Sequence, residues 1–277
     1  MREVDPELVI TFGPDHYNGF FYDTMPPFCL GLGAFGLGDY GTPTGELDVP
    51  SELAEELAGY VQGEGWTSPC RVGWVSTTAP SSRSTSSSAG RHPPDDPRLR
   101  QRCRRPFVPM SRIRALGEAI GRWAAGRPER ILLIASGGLS HDPPVPRWAT
   151  APGGPRGPAR RAQPDARGAG RARAARRRHR ACLRRGRGRH QDLNPEWDRE
   201  FMRICAAQDT AAFDAYEAGE MAAEAGNSSH EVRGWVAAFS ALGATGRYEV
   251  GYEYYRPIRH FIAGFGVMTA RREDTPR

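Results

Sequence analysis

Residues 131–146, ILLIASGGLSHDPPVP, place an apolar run directly before a glycine pair and a histidine. The continuous run at residues 131–134 is typical of a strand that is buried on both faces. Gly137 and Gly138 then end the strand and let the backbone approach a neighbouring segment closely. In open α/β sheets the functional residues lie at the carboxyl ends of the strands, so His141 is a candidate catalytic residue. The alternative is a loop histidine without a role.

A second strand and histidine repeat this arrangement near the start of the chain. Residues 7–12, ELVITF, predict a buried strand, and the turn that follows it carries His16. Two histidines at the ends of two strands can converge on one site. A capped turn with an incidental histidine is the alternative interpretation of His16.

The composition restricts the class of protein. A chain of 277 residues is long enough for one large α/β domain or two small ones. No apolar run approaches the roughly 18 residues of a membrane span, and the first residues lack a signal-peptide pattern. We therefore expect a soluble, cytoplasmic protein without a membrane partner. The five cysteines show no CxxC spacing, which argues against a disulfide framework and against a structural zinc site.

The positive charge of the chain is concentrated in one tract. The formal net charge is +6, and residues 151–190 contain 14 arginines and one acid, Asp165. This tract suggests an alternative function, that of an arginine-rich nucleic-acid-binding protein without enzymatic activity. However, all 38 basic residues of the chain are arginines, which indicates very GC-rich coding DNA.

Two amphipathic helices complete the predicted α/β pattern. Residues 112–125 place apolar side chains on one face and lead into the strand at residues 131–134. Residues 228–242, SSHEVRGWVAAFSAL, predict a helix capped by one of its first two serines, with Glu231 close to its buried face. That buried face is predicted to contain Val232, Trp235, Val236 and Phe239.

Six blocks of the sequence together indicate a family. They are GPDHYNGFFYD, MPPFC, ASGGLSHDPPVP, LNPEWDREF, SSHEVRGWVAAF and YYRPI…FIAGFGVMTA. With these blocks the chain resembles the class III extradiol ring-cleaving dioxygenases over residues 1–72, 107–150 and 191–270. The resemblance implies one α/β domain over residues 1–277, with a central mixed sheet flanked by helices. It also implies a mononuclear non-haem Fe(II), a homo-oligomer, and extradiol (meta) cleavage of a 3-substituted catechol with O2. One such catechol is 3-(2,3-dihydroxyphenyl)propionate, a compound of bacterial aromatic catabolism.

The resemblance also implies roles for particular residues. His16 matches a histidine ligand of the iron, and Glu231 matches the carboxylate ligand. His141 matches the acid/base histidine that moves protons beside the metal. Arg256 is a candidate for binding the substrate carboxylate, and a structural ion pair is the alternative for it.

Two departures from the family pattern predict a defective copy. The family has a further ligand histidine before the strand that begins here at Glu7, so this copy is expected to be truncated at its N-terminus. A second active-site histidine belongs in a block VDHG, where residues 76–79 are Ser-Thr-Thr-Ala. The codons GTC GAC CAC GGC encode VDHG, and reading them from the second base gives Ser-Thr-Thr-Ala. We therefore expect frame-shifted, disordered segments at residues 73–106 and 152–190, and iron binding that is weak or absent.

Overall fold

The structure is a computed structural model that mixes helices and strands, which confirms the predicted α/β class. It describes residues 5–14, 26–37, 44–66, 70–71, 74–76, 107–143 and 191–273. The strands are β1 (Leu8–Phe12), β2 (Leu30–Gly31), β3 (Ala34–Leu37), β4 (Thr44–Leu47), β5 (Cys70–Arg71), β6 (Trp74–Ser76), β7 (Ile131–Ala135), β8 (Tyr248–Ile258) and β9 (Ala263–Arg272). The α-helices are α1 (Ser51–Gly63), α2 (Met110–Ala125), α3 (Pro195–Ala207), α4 (Ala218–Ala225) and α5 (Arg233–Ala244). Short 3-10 helices cover Thr210–Ala215, Ser229–Val232 and Arg259–Phe261.

The two predicted apolar strands pair with each other. β1 and β7 are parallel, with Leu8 opposite Ile131 and Phe12 opposite Ala135. Ser136 N donates to the Phe12 carbonyl oxygen at 3.0 Å, so both strands end at the same edge. All five residues of β7 are half-buried. The expectation of a strand buried on both faces was therefore wrong, because the described part of this sheet is only two strands wide.

The described strands form four small sheets instead of one continuous central sheet. β2 pairs with β5, and β3 lies between β4 and β6. β8 and β9 form a hairpin that pairs with no other described strand, although Ala263 of β9 makes an isolated bridge to His141. The short strands explain this division, because β2, β5 and β6 are two or three residues long and offer few ladder hydrogen bonds.

Three residues of the first segment predicted to be disordered, residues 73–106, lie within the described structure. Trp74–Ser76 form β6 and pair in parallel with Ala34, Phe35 and Gly36 of β3. Residues 77–106 and 152–190 lie outside the described residues, so the expectation of disorder there stays a prediction.

Helices α2 and α5 pack backbone to backbone. A Cβ on Gly117 would lie 3.0 Å from the carbonyl carbon of Ala237, and one on Gly121 would lie 2.8 Å from that of Ala241. The predicted buried face of α5 is confirmed, since Val232, Trp235, Val236 and Phe239 are all at most 9% exposed. Among the residues described, no helix is long and apolar enough to cross a membrane.

Candidate active site

The glycine pair after β7 contacts the turn that carries Glu231. A Cβ on Gly137 would lie 2.9 Å from the Glu231 carbonyl carbon, so only glycine fits there without a shift. Trp235 Nε1 donates to the Gly137 carbonyl oxygen at 3.0 Å and holds the first turn of α5 against the same glycine. The segment that the glycines were predicted to approach is thus the main chain of Glu231.

Glu231 and His141 both reach the backbone of Gly138. The Gly138 amide donates to Glu231 Oε2 at 3.0 Å. A Cβ built on Gly138 would lie 3.0 Å from His141 Nδ1, so the imidazole packs against this glycine. Gly138 therefore contacts two of the predicted site residues, His141 and Glu231. The second of these contacts joins segments that are 93 positions apart in the sequence.

This pair lies at the carboxyl ends of β1 and β7, a position that the sequence predicted for His141 but not for Glu231. Gly234, the second residue of α5, packs so closely on this edge that its Cβ would be 3.3 Å from Ser136 O and 3.4 Å from Phe12 O. The start of α5 therefore sits directly on the strand ends. A carboxylate and an imidazole placed at such an edge are suited to metal binding and proton transfer.

The backbone of His141 is tied to the segment before Glu231. His141 N donates to Ala225 O at 2.7 Å, and Ser228 N donates to His141 O at 2.9 Å. Gly226 makes this approach possible, because it has a φ of +89° and its Cβ would lie 2.6 Å from His141 O. Main-chain hydrogen bonds thus fix the two segments that carry the candidate residues.

The helix predicted at residues 228–242 begins differently from the expectation. Ser229–Val232 form a 3-10 turn, α5 starts at Arg233, and neither element has a side-chain cap. The predicted serine cap was therefore wrong. The reason is tertiary, since Ser229 Oγ donates to Met221 O at 3.2 Å and the Ser228 amide donates to His141.

Sequence reasoning missed Asp198, which lies behind the His141 loop. Its side chain is fully buried, and its carboxylate accepts hydrogen bonds from Ser140 and Tyr255. Burial raises the pKa of Asp198, and the donors from Tyr255 and Ser140 oppose that rise. A signal was present in the sequence, because Asp198 lies on the same helical face as the apolar Met202 and Cys205.

Sequence reasoning also missed His230. This residue is buried and its ring lies 3.9 Å from the Phe107 ring, centroid to centroid. Arg233 lies over the same Phe107 ring and donates to Val108 O at 2.8 Å. These contacts anchor the Glu231 turn to the start of α2. No local pattern indicated them, because Phe107 is more than a hundred positions away in the sequence.

Of the two other predicted site residues, one lies outside the described residues and the other lies on the β8–β9 hairpin. His16 lies outside the described residues, which reach Pro14 after β1. Arg256 is exposed on β8, and neighbouring strand residues alternate in direction, so it projects from the face opposite Tyr255. Within the part of the chain that the structure describes, Arg256 has no ion pair. The alternative interpretation, that Arg256 forms a structural ion pair, therefore gains no support either.

The described residues contain one of the proposed metal ligands. Among them, no three His, Cys, Asp or Glu side chains come together as a metal-binding group. The Glu231 carboxylate is a ligand type that suits a divalent metal, and it lies beside the glycine pair that follows β7. A complete site would therefore need ligands from outside the described ranges.

Comparison with known proteins identifies the family. A Rhodococcus rhodochrous protein named 2,3-dihydroxyphenylpropionate/2,3-dihydroxicinnamic acid 1,2-dioxygenase is 50% identical over 273 residues, which cover 96% of this chain and 85% of that protein. Proteins of the same name from Rhodococcus globerulus and Mycolicibacterium vanbaalenii are 45% and 44% identical, over 99% and 96% of this chain and 88% and 85% of their own lengths. The model of the catalytic LigB subunit of aromatic ring-opening dioxygenase matches residues 102–266. The chain belongs to this LigB family.

Membership of the LigB family confirms the resemblance found in the sequence and identifies the chain as a catechol dioxygenase, an oxidoreductase. This family membership favours catechol ring cleavage over the alternative function of an arginine-rich nucleic-acid-binding protein. The matched span contains His141, Glu231 and Arg256, whereas His16 precedes it.

Proposed function

We propose that the site around His141 and Glu231 performs Fe(II)-dependent extradiol cleavage of a catechol with an acidic side chain, such as 3-(2,3-dihydroxyphenyl)propionate. One observation carries the proposal: a carboxylate and an imidazole flank Gly138 at the carboxyl ends of β1 and β7. The names of the LigB relatives support the substrate, since they specify 2,3-dihydroxyphenylpropionate and the corresponding cinnamic acid.

Glu231 and His16 are the proposed iron ligands. A carboxylate and an imidazole match the ligand types of non-haem Fe(II) oxygenases, which leave positions open for substrate. When bound, the metal supplies a Lewis acid that lowers the pKa values of the catechol hydroxyls, together with redox chemistry toward O2. The hydrogen bond from Gly138 N to Glu231 Oε2 fixes one carboxylate oxygen and therefore orients the carboxylate.

His141 is the proposed acid/base residue. Its imidazole lies next to Gly138, on the same loop that orients Glu231. From that position the ring nitrogen accepts the proton of a catechol hydroxyl and returns a proton as the ring opens. General acid/base catalysis of this kind contributes about 10²-fold to 10⁴-fold in rate.

Separate assays of metal binding and turnover test these roles. With Fe(II) added without oxygen, Glu231→Gln is expected to weaken metal binding by more than the roughly 10-fold to 100-fold that is lost when a residue hydrogen-bonded to a ligand is removed. His141→Gln is expected to keep the metal affinity and to lose at least about 10²-fold in kcat, measured by O2 uptake. His260→Gln, which changes an exposed histidine, is the control. Full turnover by His141→Gln would refute the assignment.

We further propose that the activity of this chain is weak or absent because of its aberrant segments. The support is the stretch Ser76-Thr77-Thr78-Ala79, where a histidine block is expected. Sequencing the coding DNA and restoring the reading frame over residues 73–106 and 152–190 tests this. Activity that rises after restoration supports the proposal. Equal activity of the original and restored chains contradicts the frame shift, and a restored chain that binds Fe(II) without turnover contradicts the proposed reaction.

A further inference from the structure

Three distant segments meet at the carboxylate of Asp198. This residue lies in the first turns of α3, its side chain has no exposed surface, and it projects toward the loop that precedes His141. Ser140 N donates to Asp198 Oδ1 at 2.6 Å, and Ser140 Oγ donates to Oδ2 at 2.8 Å. From β8, the Tyr255 hydroxyl donates to Oδ2 at 2.6 Å. One buried carboxylate therefore accepts three hydrogen bonds from two segments.

The donors themselves are fixed in direction. The Ser140 hydroxyl accepts a hydrogen bond from Asn194 N at 3.0 Å, so its proton is free to point at Asp198. Arg199 lies 5.1 Å from the centre of the Tyr255 ring and packs over it. A shift of the loop would leave a buried acidic group short of donors, which is costly. The loop is therefore held in one place by α3.

The hairpin strand β9 closes the same arrangement from the other side. Gly264 N donates to Ser140 O at 2.8 Å, and Leu139 N donates to Gly264 O at 3.2 Å. A Cβ on Gly264 would lie 2.8 Å from the Asp198 carboxyl carbon and 3.2 Å from Ser140 Oγ. Only glycine leaves room for the carboxylate, so the loop is clamped between α3 and β9.

We infer that Asp198 is a positioning residue: by anchoring Ser140 between α3 and the hairpin, it sets the placement of the neighbouring His141 imidazole beside Glu231. This inference rests on the proposed acid/base role of His141. Its physical basis is that Ser140 and His141 share a peptide bond, so a moved Ser140 moves the imidazole. Misplacement of a catalytic group by about 1 Å can lower a rate by 10²-fold.

Two variants perturb the anchor by different amounts. Asp198→Asn keeps the shape of the side chain but replaces an accepting oxygen with an amide that donates. It therefore loses the ability to accept from all three donors at once. Tyr255→Phe removes one donor and leaves both Ser140 contacts in place. Glu200→Gln is the matched control, because Glu200 lies on the same helix but is exposed and pairs only with Arg203 at 2.7 Å among its described contacts.

The first readout does not depend on activity. In full-length protein labelled with 15N-histidine, the His141 imidazole signal is identified by its absence from His141→Gln. Asp198→Asn is expected to shift or broaden this signal and to leave the exposed His260 unchanged. It is also expected to speed amide exchange in residues 139–141 by at least about tenfold while α5 stays protected. Tyr255→Phe is expected to do the same to a smaller extent, and Glu200→Gln to do neither.

Unchanged His141 signals and unchanged exchange in a folded Asp198→Asn would overturn the inference. If Asp198→Asn does not fold, Tyr255→Phe decides alone: a local effect at residues 139–141 supports the inference and no effect overturns it.

The second readout is a double-mutant cycle with added Fe(II) and 3-(2,3-dihydroxyphenyl)propionate. Asp198→Asn is expected to lower kcat at least about tenfold with little change in KM, and to cause no further loss in a His141→Gln background. An equal fold-loss in both backgrounds shows a merely structural role and overturns the inference. If a chain with the restored reading frame binds Fe(II) but shows no turnover, the proposed function fails, whereas the signals and exchange of His141 still decide its positioning by Asp198.

Discussion

Alanine at Gly121 is predicted to destabilise the protein, although alanine is the better helix former. Gly121 faces α5, and its Cβ would lie 2.8 Å from the Ala241 carbonyl carbon and closer still to the carbonyl oxygen. Ordinary contacts begin at 3.4 Å, so the two helices would have to separate by about 1 Å at this point. Gly117 meets the Ala237 backbone one turn earlier in the same way.

The expected magnitude follows from two opposing effects. Overpacking costs about 1–3 kcal/mol, and replacing glycine by alanine in a helix returns up to about 1 kcal/mol. We therefore expect Gly121→Ala to lower the free energy of unfolding by about 1–2 kcal/mol. Because one separation of the helices relieves both clashes, Gly117→Ala combined with Gly121→Ala should cost less than the sum of the single variants.

Equilibrium denaturation of purified protein measures these values. Gly59→Ala is the matched control, because Gly59 lies in α1 and, apart from its chain neighbours and the backbone of its own helix, no atom would lie within 4 Å of its Cβ. There alanine is expected to stabilise by up to about 1 kcal/mol. If Gly121→Ala stabilised the protein as Gly59→Ala does, the close packing of α2 on α5 would be refuted.

Three other contacts give outcomes that can be measured directly. Gly226→Ala puts a Cβ 2.6 Å from His141 O at a φ of +89°, so we expect a loss of about 1–3 kcal/mol in urea denaturation, and unchanged stability would contradict the tight fit. Because burial raises the pKa of Asp198, there is a pH range just above about 4 in which the native state keeps a proton that the unfolded chain has released. The stability of wild type should therefore fall relative to Asp198→Asn as the pH rises from about 4, and a difference that is independent of pH would argue against this. Arg256→Gln should change KM for 3-(2,3-dihydroxyphenyl)propionate by less than about fivefold, since the side chain is exposed, and a larger rise would make it a substrate ligand.

The sequence identified the elements better than their assembly. The apolar runs of β1 and β7 and the amphipathic pattern of α2 are local features, and the structure places all three elements as predicted. The sequence did not indicate how the described strands divide into four small sheets, because strand pairing depends on partners far along the chain. The helix start at residue 228 differed because Ser228 and Ser229 contact other segments instead of capping their own helix.

The sequence alone therefore determined the α/β class, the family, and His141 and Glu231 as candidates, since motifs and periodicity are carried by neighbouring residues. Only the tertiary structure showed that Gly138 contacts both residues and that Asp198 accepts hydrogen bonds from the loop that precedes His141. The physical reason is the partner distance. A buried polar group must be satisfied, but the donors that satisfy Asp198 are 57 and 58 positions away, and no local pattern records which donors those are.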